Sequence, residues 1–548
     1  SVVVSIVLLL TSSGVADVTV TAPNETLTGN TAGQDIEFDV TGGDATSGIN
    51  ARVQIGDGTN APVMTFVDYN TGTIYETVSL LTDSTDLTDD QQFDDGTLTL
   101  DPGVPANGLL MTVTVDTTGF TTGRFAVIIE GIDIGNDGPP LLDLEVLDAG
   151  GNPIASTLTA GTLAIGANPT VTWTGATDGN CSTGAGGIGT NWDGFAEPQA
   201  GDSIVFAGNT NTNTTFDLAD GINFNGITFD NTAGAFTING VGGIVINADQ
   251  AITNNSASTQ TLNINVSSAS PMTFDAAAGD LAINSTITIT GDTLTVTGAN
   301  DTLLDGILTG TGSLRETGAG TLTLDSDASG LGGSITVADG ELLLTVNGDI
   351  ADSTPLIFEG GQLTVNIPAA EVPVANPVSF TGDFQIDPNA SDIVYSGALN
   401  LGGAMRTVTN LSNAAGAAVS LVGPISNGGL TLQGVTGTES FVLGGNNTYT
   451  GGTTLDTVSV AYLDNQAFTT GEFDITGPAT LVALDNSGDL STIVLPNQVD
   501  LAADLTLDTI DDATFDPRPI ELAGGIDLIT SSQIIAANEA GQTTSGAA

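Results

Sequence analysis

The sequence predicts an all-β protein: an antiparallel β-sandwich followed by a parallel β-helix, that is, a solenoid. Composition is the first reason, because 72 glycines, only 5% aromatic residues and apolar residues scattered in short runs suit many strands joined by many turns. Length is the second: 548 residues exceed one hydrophobic core, so two or three domains, or one domain plus a solenoid, are expected. The third is a repeat of strand, polar turn, Gly-Gly and strand at distant places. A unit of that kind buries its apolar face only against its neighbours, which is how solenoids are built.

The sharpest copy runs from Ser440 to Leu463, SFVLGGNNTYTGGTTLDTVSVAYL, and an earlier one from Gly320 to Leu344, GTLTLDSDASGLGGSITVADGELLL. Leu322 and Leu324 fall on Phe441 and Leu443, and Gly332-Gly333 on Gly451-Gly452. The later copy is one residue shorter after the glycines, so Val337 meets Leu455.

The run Leu443 to Leu455, LGGNNTYTGGTTL, resembles the autotransporter-associated β-strand repeat of bacterial surface and secreted proteins. Two softer stretches are similar to the same proteins: Trp173 through Asn191-Trp192 to Ile204-Val205-Phe206, and Leu399 to Thr407, LNLGGAMRT. The resemblance covers roughly residues 170 to 465. It implies that the coils form a right-handed parallel β-helix in a passenger-type protein at the cell surface or outside the cell. It implies almost no chemistry.

In chain order, residues 1–16 open with SVVVSIVLLL, too short for the roughly 20 apolar residues that span a bilayer. Two readings are open: a structural strand, either buried in its own fold or donated to a neighbouring molecule, or the remnant of a secretory signal ending at Gly14-Val15-Ala16. Without an initiating Met or a basic leader, the chain is expected to begin partway through a gene product or after processing. Residues 17–168 read as the sandwich, from strand-like runs such as DVTVTA, DIEFDV, ARVQI, MTFVDY, LLMTVTVD and RFAVIIEGI separated by turn clusters. The part from Asp35 to Gly131 resembles cohesin-like modules of bacterial surface proteins, which implies docking or assembly.

Residues 169–465 read as the β-helix with an N-terminal cap, where Trp173 and Trp192 flank the loop Gly184 to Gly189. Large aromatics suit a cap over the first coil, and stacking on a sugar ring is the competing role. From Phe224 the runs FNGITF, GIVINA, QTLNINV and LTVTGAN follow closely, as expected for coils of roughly 20 to 30 residues. Residues 466–548 read as terminal coils or a small β cap and a polar tail. No aromatic-tipped alternating strands follow, so no export barrel is expected within this chain.

Charge and missing residue types bound the function. Against 64 acidic residues stand 5 arginines and no lysine, a formal net charge of −59. That charge repels nucleic acid and anionic membranes. With no histidine there is no Ser-His-Asp or Cys-His machinery, and without lysine no Schiff base and no phosphate-binding P-loop. Cys181 stands alone and reads as a small buried residue.

Two acidic tracts invite a calcium reading. Asp83, Asp86, Asp89, Asp90, Asp94 and Asp95 crowd one stretch, with a solvated loop as the simpler account. Asp325 to Gly330 resembles the start of a calcium loop, but Ser329 and Thr336 stand at two ligand positions, so a turn is expected. Arg406 reads as an ion-pair anchor.

No catalytic, cofactor-binding or metal residues are assigned, no cofactor is expected, and the chain is expected not to be an enzyme. The expected function is an extracellular structural or adhesive protein, a β-helical stalk with a docking module. Its partners would be further copies of itself or cell-surface glycans, with no transmembrane span. The alternatives are a filament assembled by N-terminal strand donation and a glycan hydrolase working through two carboxylates.

Overall fold

The computed structural model describes residues 18–42, 45–58, 60–76, 92–98, 104–131, 145–148, 153–154, 156–182, 191–247, 249–268, 271–345, 353–367, 371–389, 391–412, 417–463, 467–469, 471–484, 493–508, 520–529 and 535–537. The N-terminal segment 1–16, Asp83 to Asp90, the glycine loop 184–189 and the tail beyond 537 lie outside them. Among the described residues there is no helix. Antiparallel sheets come first, and a parallel β-solenoid of about 12 turns follows. The chain forms two compact units, Ser1–Gly234 and Ala235–Ala548.

The first unit begins with two sheets face to face. Alternation dictates the burial: in Gln34–Thr41, Ile36, Phe38 and Val40 point inward and the acidic residues between them outward. This strand pairs antiparallel with Gly108–Asp116 on one side and Val18–Thr21 on the other. The second sheet is built around Ala45–Ile55, Gly123–Gly131 and Gly161–Ile165.

Two parallel pairs interrupt the antiparallel pattern. Val18–Thr21 lies parallel to Ser156–Thr159, and Asn24–Leu27 parallel to Gly161–Ile165, so two adjacent chain segments step together from one sheet to the other. Gly161 makes the crossing possible, because a Cβ there would sit 2.0 Å from the Pro23 carbonyl oxygen. After the sandwich, Thr170–Trp173, Ser203–Phe206 and Ile227–Phe229 stack in parallel as the first coil strands.

The second unit is a solenoid by itself. Its coils carry up to three short strands, each bonded in parallel register to the strand one coil on. Leu322, Leu342, Leu363 and Ile386 stand in one such column, all 1% exposed. Each buried Leu contributes about 1.5–3 kcal/mol, and only because the coils above and below cover it. Coil length varies: Leu322 pairs with Leu342, 20 residues on, whereas Leu501 pairs with Leu528, 27 on.

Polar side chains also stack. Asn263 donates to Asn239 at 2.8 Å and Asn284 donates to Asn263 at 3.0 Å, so each amide satisfies the next.

The two repeat copies do not occupy equivalent places. Thr321–Leu324 belongs to the column of Glu341–Leu344 and Gln362–Val365, which we term the second face. Ser440–Leu443 belongs to another, the third face, with Ala418–Leu421 and Val458–Tyr462. In the later copy the Thr448 amide bonds the Ile425 carbonyl, so Asn447 to Tyr449 follow Ile425–Ser426 in the column of Val378–Phe380 and Leu399–Asn400, the first face. The motif is laid down one face over.

Candidate functional site

The second face of the solenoid carries an outward polar column: Thr321, Glu341, Gln362, Gln385, Thr409, Gln433 and Asp456, each in register with the next. They point outward because they alternate with the leucines that fill the core. At the early end Thr321 Oγ1 donates to Glu341 Oε2 at 3.1 Å, and Gln362 Nε2 to Glu341 Oε1 at 3.3 Å. At the late end Thr409 Oγ1 donates to Gln433 Oε1 at 3.0 Å, and Gln433 Nε2 to Asp456 Oδ2 at 2.8 Å. Gln385 stands between these two chains of bonds with its amide exposed to solvent.

Around Gln385 the surface is concave. A groove of about 520 Å³ is lined by Gln362, Gln385, Thr409 and Gln433, by the neighbouring Thr407 and Thr431, and by Asp339 and Asp383 on one wall. Gly340 and Gly361 line the same side, with φ of 60° and 70°, a left-handed conformation that suits glycine. A Cβ on Gly361 would meet the Gly340 carbonyl oxygen at 2.8 Å. Asp383 is fixed by accepting the Thr407 amide at 2.9 Å. The floor therefore offers amide and hydroxyl groups, which both donate and accept, and the wall offers carboxylates, which accept.

The aromatic tract of the first unit is a plug. Trp173 and Trp192 meet edge to face with centroids 5.2 Å apart, and Phe206 lies 6.1 Å from each. Trp192 Nε1 donates to the Cys181 carbonyl at 2.9 Å, and both indoles are 1% exposed, which leaves no face for a sugar ring. Asn191, wholly buried, receives the Thr177 and Asp178 amides and donates to Asp178 and the Asn180 carbonyl. Cys181 is buried, and burial pushes its thiol far above the ordinary value.

This plug is joined to the sandwich by a buried ion pair. Arg124 Nε and Nη2 each donate to Asp202 at 2.7 Å, with Arg124 7% and Asp202 0% exposed. The sequence reading did not single out either residue.

Asp94 and Asp95 lie on the strand Gln92–Leu98 rather than in an open loop. In the tract Asp325 to Gly330, Asp327 accepts the Ser329 amide at 2.8 Å, which makes the segment a turn; the Ser329 side chain, and after it this amide, hold the Asp327 carboxyl below the usual range. Among the described residues no group of three or more His, Cys, Asp or Glu could hold a metal ion. Arg406 corrects the expectation of an ion-pair anchor: its Nε donates to the Leu401 carbonyl at 3.2 Å, and no carboxylate among the described residues pairs with it. The turn it closes is a backbone matter, set by Gly402 and Gly403 at positive φ.

Sequence reasoning missed the groove. Gln362 and Gln385 are 23 residues apart in sequence and adjacent in space. Glutamines recurring at one coil length on strand positions were the available signal.

Comparison with known proteins adds little. No family model matches the chain, and no curated protein matches it. Among solved structures, a non-cellulosomal cohesin from Archaeoglobus fulgidus is 16% identical, with 28% of this chain and 93% of that chain covered at a TM-score of 0.20. CaCohA2 from Clostridium acetobutylicum is 18% identical over 27% of this chain and 92% of that chain, also at 0.20. The seventh ScaB type I cohesin from Pseudobacteroides cellulosolvens is 12% identical over 28% and 94%, again at 0.20.

Proposed function

We propose that the protein is a non-catalytic structural and docking protein of the cell surface or extracellular matrix, whose solenoid lays out a groove for extended neutral glycans. The observation that carries this is the outward column of amide and hydroxyl groups, in register across successive coils and open at Gln385. Sugar hydroxyls match such a surface, donating to Asp339 and Asp383 and accepting from Gln385 and Gln433. An anionic polymer would meet carboxylates on the wall and a net charge of −59 over the chain. Stacked apolar columns and amide ladders suit a scaffold that must stay folded without disulfides.

Affinity electrophoresis through gels containing hydroxyethyl cellulose or polygalacturonate, with reducing ends assayed in parallel, tests the reading. Retardation by the neutral polymer without release of reducing ends is expected. Gln385→Ala should weaken it about two- to tenfold, as for one lost hydrogen bond. Release of reducing ends would overturn the non-catalytic reading in favour of hydrolysis by two carboxylates. Retardation by polygalacturonate alone, or by neither polymer, would overturn the glycan groove.

A further inference from the structure

One carboxyl group of the second unit faces the wrong way. In Ser313–Glu316, Leu314 and Glu316 point into the core while Ser313 and Arg315 point out. Glu316 stands in register between Val296 and Val337, in a column otherwise apolar, and is 2% exposed. Its Oε1 accepts the Gly318 amide at 2.6 Å, and its Oε2 is buried with no hydrogen-bond partner. No cation faces it among the described residues: Arg315 turns outward to Glu359, Nη1 to Oε1 at 3.0 Å. Asp339, in the turn after Ile335–Val337, is the nearby charge, and it is negative. The strands on either side, Thr293–Gly298 and Ile335–Val337, carry no titratable group. Across the coil Glu341 faces outward, bonded to Thr321.

We propose that Glu316 is a proton-controlled latch, seated in the core while its carboxyl carries a proton and expelled when the proton leaves, so that the coil around residues 313–340 opens. Burial is the main cause that pushes this carboxyl up to about 8; the Gly318 and Thr317 amides oppose the shift and Asp339 adds to it. The open coil returns the group to its ordinary value of 4.5. The sign follows from linkage: the closed coil binds the extra proton, so its stability is complete below the ordinary value and falls as pH rises. The loss is full once pH passes the value in the closed coil. The latch adjoins the groove, because Asp339 and Gly340, which follow the register partner Val337, form its wall. Alkaline opening would dismantle that wall. This inference rests on the core position of Glu316 and holds whether or not the groove binds a glycan.

Hydrogen exchange of the full chain, corrected for the intrinsic pH dependence of exchange, tests it. The reporting amides are Thr317 and Ala338, which bond the Val296 and Glu316 carbonyls, with Leu430 in a distant coil as control. One proton per opening predicts that protection at Thr317 and Ala338 falls about tenfold per pH unit between about pH 5 and pH 8. Glu316→Gln, which keeps an acceptor for Gly318, should abolish that slope, and so should Glu316→Val, which completes the apolar column. Either variant suffices if the other fails to fold. A flat wild-type profile, or the same slope in the variants, would overturn the latch.

Discussion

The joint of the first unit and the coils of the second hold themselves together in opposite ways. Among the described residues of the joint nothing repeats: one ion pair, one tryptophan pair and a few close backbone approaches do the work. Arg124 and Asp202 are sealed from water, and Gly194 packs so tightly that a Cβ would lie 1.8 Å from the Arg124 carbonyl oxygen. In the coils each contact is ordinary, and there are many of them. Leucine columns and amide ladders recur from coil to coil, so a single loss is shared with neighbours. Irregular structure concentrates stability in few residues, whereas repeating structure spreads it.

The comparison breaks first at the ion pair if it is wrong. Arg124→Met leaves Asp202 buried without its partner and should cost about 3–5 kcal/mol in urea unfolding of the first unit. Arg124→Met with Asp202→Leu should recover most of that loss, because no uncompensated charge remains. A cost under about 1 kcal/mol would mean the joint is not the weak point. Gly194→Ala is next: the backbone must shift to admit the methyl group, at about 1–3 kcal/mol by the same measurement.

The ladder comes third. Asn263→Ala removes a link between Asn239 and Asn284, and should cost only about 0.5–1.5 kcal/mol because the coil hydrogen bonds on either side persist. A loss as large as that at Arg124 would show that the coils are not a sum of small terms. The smallest effect is expected where Asp474, Asp500 and Asp527 stand in register on the second face. Desolvation, then the charges of Asp500 and Glu472, raise the Asp474 carboxyl above its ordinary value. Its proton is therefore held more tightly in the folded coil, and mild acidification toward the ordinary carboxylate range should slightly raise the melting temperature. Asp474→Asn should remove this carboxyl's share of the gain and leave the larger share of Glu316 in place.

Much of this architecture was legible in the sequence, for a physical reason. Alternation along strands and glycine at corners are local requirements, so Leu322, Leu324, Phe441 and Leu443 declare themselves as inward residues, and all are buried. Which face a strand occupies is not local. All three faces need the same strand-and-corner grammar, so two copies of one motif could be aligned although they sit on different faces. The groove was hidden for a related reason. Its members are neighbours only after coils of unequal length are wound: Gln362 meets Gln385 after 23 residues and Gln385 meets Thr409 after 24. Arg124 and Asp202 are 78 residues apart, with nothing periodic linking them. Glu316 was legible in principle, since Leu314 fixes the inward parity of its strand. A charged residue at an inward position is the signal that was passed over.

Cysteine cross-linking on the second face tests the central claim, in-register parallel stacking of coils, most directly. In a Cys181→Ala background, Gln385→Cys with Thr409→Cys places two thiols on directly paired residues. Adjacent strands lie about 4.8 Å apart, within the range a disulfide spans. The stacked coil predicts rapid, near-complete oxidation of this pair, and little for Gln385→Cys with Val408→Cys, whose side chains point to opposite sides of the sheet. Equal oxidation of the two pairs, or none in either, would contradict it.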